Sequence, residues 1–179
     1  ELSLNYRAAG LYGEAAQALQ LAENDNEPML HYYLYHYTGD KGELEKAENS
    51  SSLYCFPNRL EDMEVLRQAA EDGGLYAAYY LGNLLYDKGR WQEAVELWES
   101  CAWLLPLPTV HRNLSLAYYN KRRDEEKALE SMEKAFSMDP TDARVFFERD
   151  QLYKALNWPG EKRLAKMQAH PELLEERDD

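Results

Sequence analysis

Four histidines, two cysteines and 33 acidic residues are the material from which this chain would build a catalytic or metal site. His31 and His36 stand five positions apart, which turns their rings off a common helical face, whereas a metal pair favours i and i+4. Cys55 and Cys101 have no Cys or His at metal-ligand spacing, so both read as reduced, structural thiols and no metal site is expected. The many carboxylates lack any strand framework or convergent pocket that would set a pair for acid and base work. Gly73-Gly74 reads as a turn before a helix, not as a phosphate loop. Ser50-Ser51-Ser52 has no nucleophile-elbow context. The expectation is a protein that is no enzyme and holds no cofactor.

What remains is the chemistry of recognition. Tyr supplies 14 residues, and its ring and hydroxyl serve cores and binding surfaces alike. Whether a given Tyr does either depends on the elements that carry it, and those are legible from a repeat. Pro106 and Pro140 are 34 residues apart, and the same shift carries Leu85 to Tyr119, Ala94 to Ala128, Trp98 to Met132 and Cys101 to Ala135. Small residues land on small ones and large apolar residues on large ones. Within the first of these units, Leu81, Leu84 and Leu85 give one helix an apolar face. Gly82 removes a side chain where a second helix must come close, and Gly89 suits the turn between the two. Ala94, Trp98 and Cys101 then recur on the second helix, and Pro106 ends the unit.

Leu81, Gly82, Ala94, Trp98, Cys101 and Pro106 fall on the spacing of the tetratricopeptide repeat, as do Leu114, Tyr118, Ala128, Met132, Ala135 and Pro140. The chain thus resembles the tetratricopeptide family. Two departures occur in the later unit: Ser115 stands where Gly is usual, and one extra residue lies between Lys121 and Glu125. The resemblance implies an all-α fold, a right-handed solenoid of antiparallel helix pairs forming an α-α superhelix. One array is expected over 1–179. Its units are 1–28 (truncated), 29–57, 58–74 (a single irregular helix), 75–107, 108–141, 142–170 and 171–179, the last opening a further helix. In 58–74 the inward face is expected to be Leu60, Met63, Leu66 and Ala70. Both ends fall inside a unit, so the chain reads as a piece of a longer array.

In such stacks the first helix of each unit lines the concave face. Rotated toward that face are Tyr35, with His31 and Tyr32 beside it, then Tyr76, Tyr79, Asn83 and Tyr86, then Arg112, Asn113, Leu116, Tyr119 and Asn120, and finally Arg144, Phe147, Gln151 and Lys154. Aromatic bodies with polar tips suit a peptide groove; Asn amides hold an extended backbone and Arg holds a carboxylate. Some tetratricopeptide domains clamp a chaperone's C-terminal carboxylate through a Lys/Asn/Asn/Lys/Arg set. Asn83 and Asn113 stand at the two Asn positions, but Tyr79 and Arg144 replace the two Lys and Glu148 replaces the Arg, which argues against that ligand.

The resemblance implies an interaction scaffold that holds a protein or peptide partner in its groove. The net charge of −13 disfavours nucleic acid and anionic membranes, and it favours neutral or basic partner segments. No run of 18 apolar residues spans a bilayer. Reduced cysteines suit a cytoplasmic location, and self-association through apolar ends is a further expectation. The segments FPNRLE, YYLGNLLYDKGRW, TVHRNLSLAYYNKR and DPTDARVFFERDQLY are also similar to the repeat region of large bacterial proteins. Those carry a carbohydrate-related domain upstream. This second resemblance implies an alternative role, a non-catalytic structural or dimerisation module supporting that domain.

Overall fold

Gly82 is where two helices meet. A Cβ built there would lie 2.4 Å from Trp98 Nε1, so only a residue without a side chain lets the indole lie across the first helix. The indole N–H donates to the Tyr79 carbonyl at 3.4 Å, and Trp98 is 2% exposed. The pair around this contact is α6 (Leu75–Asp87) and α7 (Trp91–Cys101), joined by a turn in which Gly89 has φ +79°.

The computed structural model describes residues 1–22, 26–52 and 55–175, and side chains up to Leu173. Before α6 come α1 (Leu2–Ala8), α2 (Tyr12–Gln20), α3 (Pro28–Thr38), α4 (Lys41–Asn49) and α5 (Leu60–Glu71). After α7 come α8 (Pro108–Ala117), α9 (Glu125–Met138), α10 (Ala143–Ala155), α11 (Gly160–Gln168) and the short α12 (Glu172–Glu175). Every described element is helical. The expected final helix is described only as far as Glu175. The helices gather into two bodies, Glu1–Leu104 and Leu105–Asp179.

In the first body, α1 packs on α2, α2 on α3, α3 on α4 and α5, and α6 on α5 and α7. Helix α3 is buried nearly all round, with His31, Tyr32, Tyr33, Leu34 and Tyr35 all inside. Such a helix is the centre of a core rather than one wall of a groove. On α5 the buried residues are Asp62, Val65, Leu66 and Ala69, while Leu60 is 72% exposed. The expected face is therefore rotated, and the cause is Asp62. Its carboxylate accepts the backbone N–H groups of Asn58 and Arg59, both at 2.9 Å, and the Tyr33 hydroxyl at 2.7 Å. Three donors hold this acid inward at the helix start, and Leu60 turns out.

In the second body, α8 packs on α9, and α10 on α9, α11 and α12. Ser115, standing at the Gly position, donates to the Ala128 carbonyl at 2.7 Å, so its small hydroxyl serves the close crossing of α8 and α9. The extra residue after α8 is taken up by a π-helical turn, Tyr118–Arg122, that closes with Arg123 at φ +57°. Asp124 and Asp142 cap α9 and α10 through N–H bonds of 2.8 to 3.0 Å.

Candidate partner-binding surfaces

Tyr32, Tyr33 and Tyr35 of the first body are met by its own carboxylates. Glu48, near the end of α4, accepts the N–H groups of Tyr76 and Ala77 at 2.9 and 3.0 Å and the Tyr32 hydroxyl at 2.6 Å. An anion from one helix thus caps the positive end of another. Gly74 makes the space, since a Cβ there would lie 2.8 Å from Glu48 Oε1 and 2.9 Å from the Ala69 carbonyl. Burial and then the Glu48 charge push the Tyr32 phenol well above its ordinary range. Burial and the Asp62 bond do the same to Tyr33. Tyr35, expected on the open face, is 3% exposed and its hydroxyl donates to Asp72. His31 and Tyr32 are likewise buried, with His31 Nδ1 2.7 Å from a Glu43 oxygen.

The remaining residues expected in this body lie on α6 and are half-buried. Tyr76 and Tyr79 lean on the Tyr80 ring at 6.3 and 5.4 Å between centroids, and Tyr86 leans on Trp98 at 5.4 Å. Asn83 is half-buried between them. The two thiols lie in the same body, and burial pushes both up to about 11, which makes them poor nucleophiles.

Both bodies keep openings: the first has pockets of about 340 and 760 Å³, and the second has one lined by residues of the expected groove. Between α8 and α10 lies a pocket of about 280 Å³, lined by Ser115, Leu116, Tyr119, Met132, Glu148, Gln151, Leu152 and Ala155. Leu116, Tyr119 and Gln151 were expected here. Arg112 and Arg144 sit at its edge, where both converge on Glu148. Arg112 grips the carboxylate with Nε and Nη2, each at 2.5 Å, and Arg144 Nε reaches it at 3.1 Å. Burial works to raise the Glu148 carboxyl, but the two guanidinium groups outweigh it and hold the group below the usual carboxylate range. Asn113 takes a 3.2 Å bond from Arg112 Nη1, Asn120 is exposed, and Phe147 is 43% exposed on the flank of the α10 stripe.

Sequence reasoning missed the internal partner of Arg112, because Glu148 lies 36 residues beyond it. It also missed Met132 as the floor of the pocket, although the repeat placed it opposite Trp98. In the preceding unit the indole fills the corresponding groove; Met is slimmer, and the space above it stays open.

The fold has relatives among solved structures. It is similar to a crystal structure of MamA, with TM-score 0.58 and 18% identity over 98% of this chain and 95% of that one. Residues 41 to the end of MamA from Desulfovibrio magneticus RS-1 give TM-score 0.58 and 19% identity over 99% and 93%. MamA AMB-1 gives 0.57 and 20% over 98% and 90%. At such identities the likeness shows the fold, which is all-α and tetratricopeptide-like as expected. No family model matches the chain. No helix among the described residues is long and apolar enough to cross a membrane.

Proposed function

We propose that this chain is a non-catalytic protein-interaction module that receives a peptide segment of its partner on the faces of its inner helices. The α8–α10 pocket carries this reading: an apolar floor of Leu116, Met132 and Leu152, rimmed by the Tyr119 ring and the Gln151 amide. An apolar pocket with a few polar groups at its mouth is the usual form of an anchor site. The first body contributes the half-buried α6 residues Tyr76, Tyr79, Asn83 and Tyr86 as a second contact surface.

The test is selection of binders from a displayed library of random peptides, with wild type and Gln151→Trp as baits. Gln151 is exposed at the pocket mouth, so the indole blocks the pocket without disturbing the core. Peptides enriched on wild type and lost on the blocked variant are the expected result. A selection that yields no binders, or binders indifferent to the block, overturns the pocket reading. That outcome would leave the support role beside a carbohydrate-related domain as the reading to pursue.

A further inference from the structure

The charges of the second body are sorted by helix. From Pro108 to Arg123 there are four cations, Arg112, Lys121, Arg122 and Arg123, and no carboxylate. The acids of this region, Asp124, Glu125, Glu126, Glu130 and Glu133, begin with the α9 cap and run along α9. On α10, Arg149 and Asp150 are buried, Arg149 over the Phe136 ring at 3.6 Å and Asp150 gripped by Arg163 at 2.5 and 2.9 Å. The outward stripe of α10 therefore presents Arg144, Glu148, Gln151 and Lys154 beside Phe147. Its single carboxylate is held between two arginines.

Two of these cations have capacity to spare. Arg144 is 73% exposed and gives Glu148 only its Nε, which leaves its Nη donors for a ligand. Lys154, exposed on the flank of the same stripe, has no partner among the described residues. In a chain with 33 acids to 20 bases, cations with donors to spare beside an apolar pocket are against the trend of the surface. The net acidity of the chain favours basic partner segments, but the α8–α10 face carries the opposite sign, and the field at contact distance is set by the nearest charges.

We propose that the occupant of this pocket is an acidic segment of a partner protein carrying one aromatic side chain. The ring enters between Leu116, Tyr119 and Met132, and flanking Asp or Glu side chains meet Arg144 and Lys154. The volume is sufficient, since a cavity of about 150 Å³ holds a benzene ring and this one measures about 280 Å³. The inference rests on the interaction-module reading and adds the chemistry of the ligand.

The experiment is fluorescence anisotropy with three labelled synthetic peptides of equal length: Glu/Asp-rich around one Phe, the same with Ala for Phe, and the same with Lys for every acid. The acidic Phe peptide should bind, the Ala version about tenfold more weakly, and the Lys version not at all. Rising salt should weaken binding. The double variant Arg144→Ala with Lys154→Ala should lose about tenfold and flatten the salt dependence. Gln151→Trp should abolish binding, and circular dichroism on each variant confirms that the helices persist. Equal or tighter binding of the Lys peptide, blocked by Gln151→Trp, overturns the charge assignment while the interaction reading stands. Failure of all three peptides, where the displayed library yields pocket-dependent binders of another kind, overturns the acidic-aromatic ligand alone. Failure of both overturns the module reading itself.

Discussion

Tyr32, Tyr33 and Tyr35 in the first body and Tyr119 in the second belong to first helices of their units and are the same residue type, yet they do different things. In the first body each hydroxyl finds an acid, Glu48, Asp62 or Asp72, and the helix beneath it is buried. In the second body the acid nearest the face, Glu148, is taken by Arg112 and Arg144, and the Tyr119 ring is left at the rim of a pocket. Position in a repeat assigns a side chain to a face. The carboxylates supplied by neighbouring helices decide whether that face stays open. Among these four tyrosines, the three of the first body are thus places to look for stability effects, and Tyr119 for binding effects.

The largest test of this division is Trp98→Ala. The indole is 2% exposed and fills the space over Gly82, so its loss should cost about 3–5 kcal/mol in chemical denaturation. A cost below about 1 kcal/mol would mean that the α6–α7 crossing is held some other way. Glu48→Ala comes next. It strips a cap from α6 and a partner from Tyr32, and about 1–3 kcal/mol of stability should go with it. Binding at the α8–α10 pocket should be unchanged, and a variant that lost peptide affinity while remaining folded would break the division. Arg112→Ala removes a bidentate grip from a side chain only 15% exposed, for about 1.5–3 kcal/mol. Arg144→Ala should leave stability within about 0.5 kcal/mol, because its ion pair is exposed. Its effect belongs in the peptide titration, and a stability loss like that of Arg112→Ala would show that Arg144 is a structural residue.

The two bodies should also respond to opposite ends of the pH scale through these groups. Tyr32 and Tyr33 have phenols raised above their ordinary value of 10.0. The unfolded chain therefore releases their protons first, and their contribution is full below about pH 10 and is lost as pH rises beyond it. Glu148 is lowered, so its contribution is present above the ordinary carboxylate value and is lost as pH falls. Alkaline titration followed by ultraviolet absorbance should show these phenols ionising only as helicity falls. Glu148→Gln should reduce the acid-side loss.

Much of this was legible in the residues. The 34-residue period, Gly82 against Trp98 and the turn at Gly89 follow from local pattern and side-chain size. The missed features depend on partners far along the chain. Nothing near Tyr35 announces Asp72, and nothing near Arg112 announces Glu148. The face of α5 went astray because Leu60 and Met63 fit an apolar stripe, while three hydrogen-bond donors around Asp62 outweigh one exposed leucine. The pocket followed from a Trp-to-Met change that was visible as a pairing but whose missing volume only the packed helices disclose.

The π-helical turn at Tyr118–Arg122 bears on how such a chain tolerates change in length. One added residue within a regular helix rotates everything after it in that helix by roughly 100°, but this surplus lies between α8 and α9, ahead of the Asp124 cap that starts α9 afresh. Here the surplus swells a single turn, and the phase of α9 is preserved. The locus works as an expansion joint: a deletion within it should close to an ordinary α-turn and leave the downstream packing in register, whereas the same deletion inside α9 would displace its whole buried stripe.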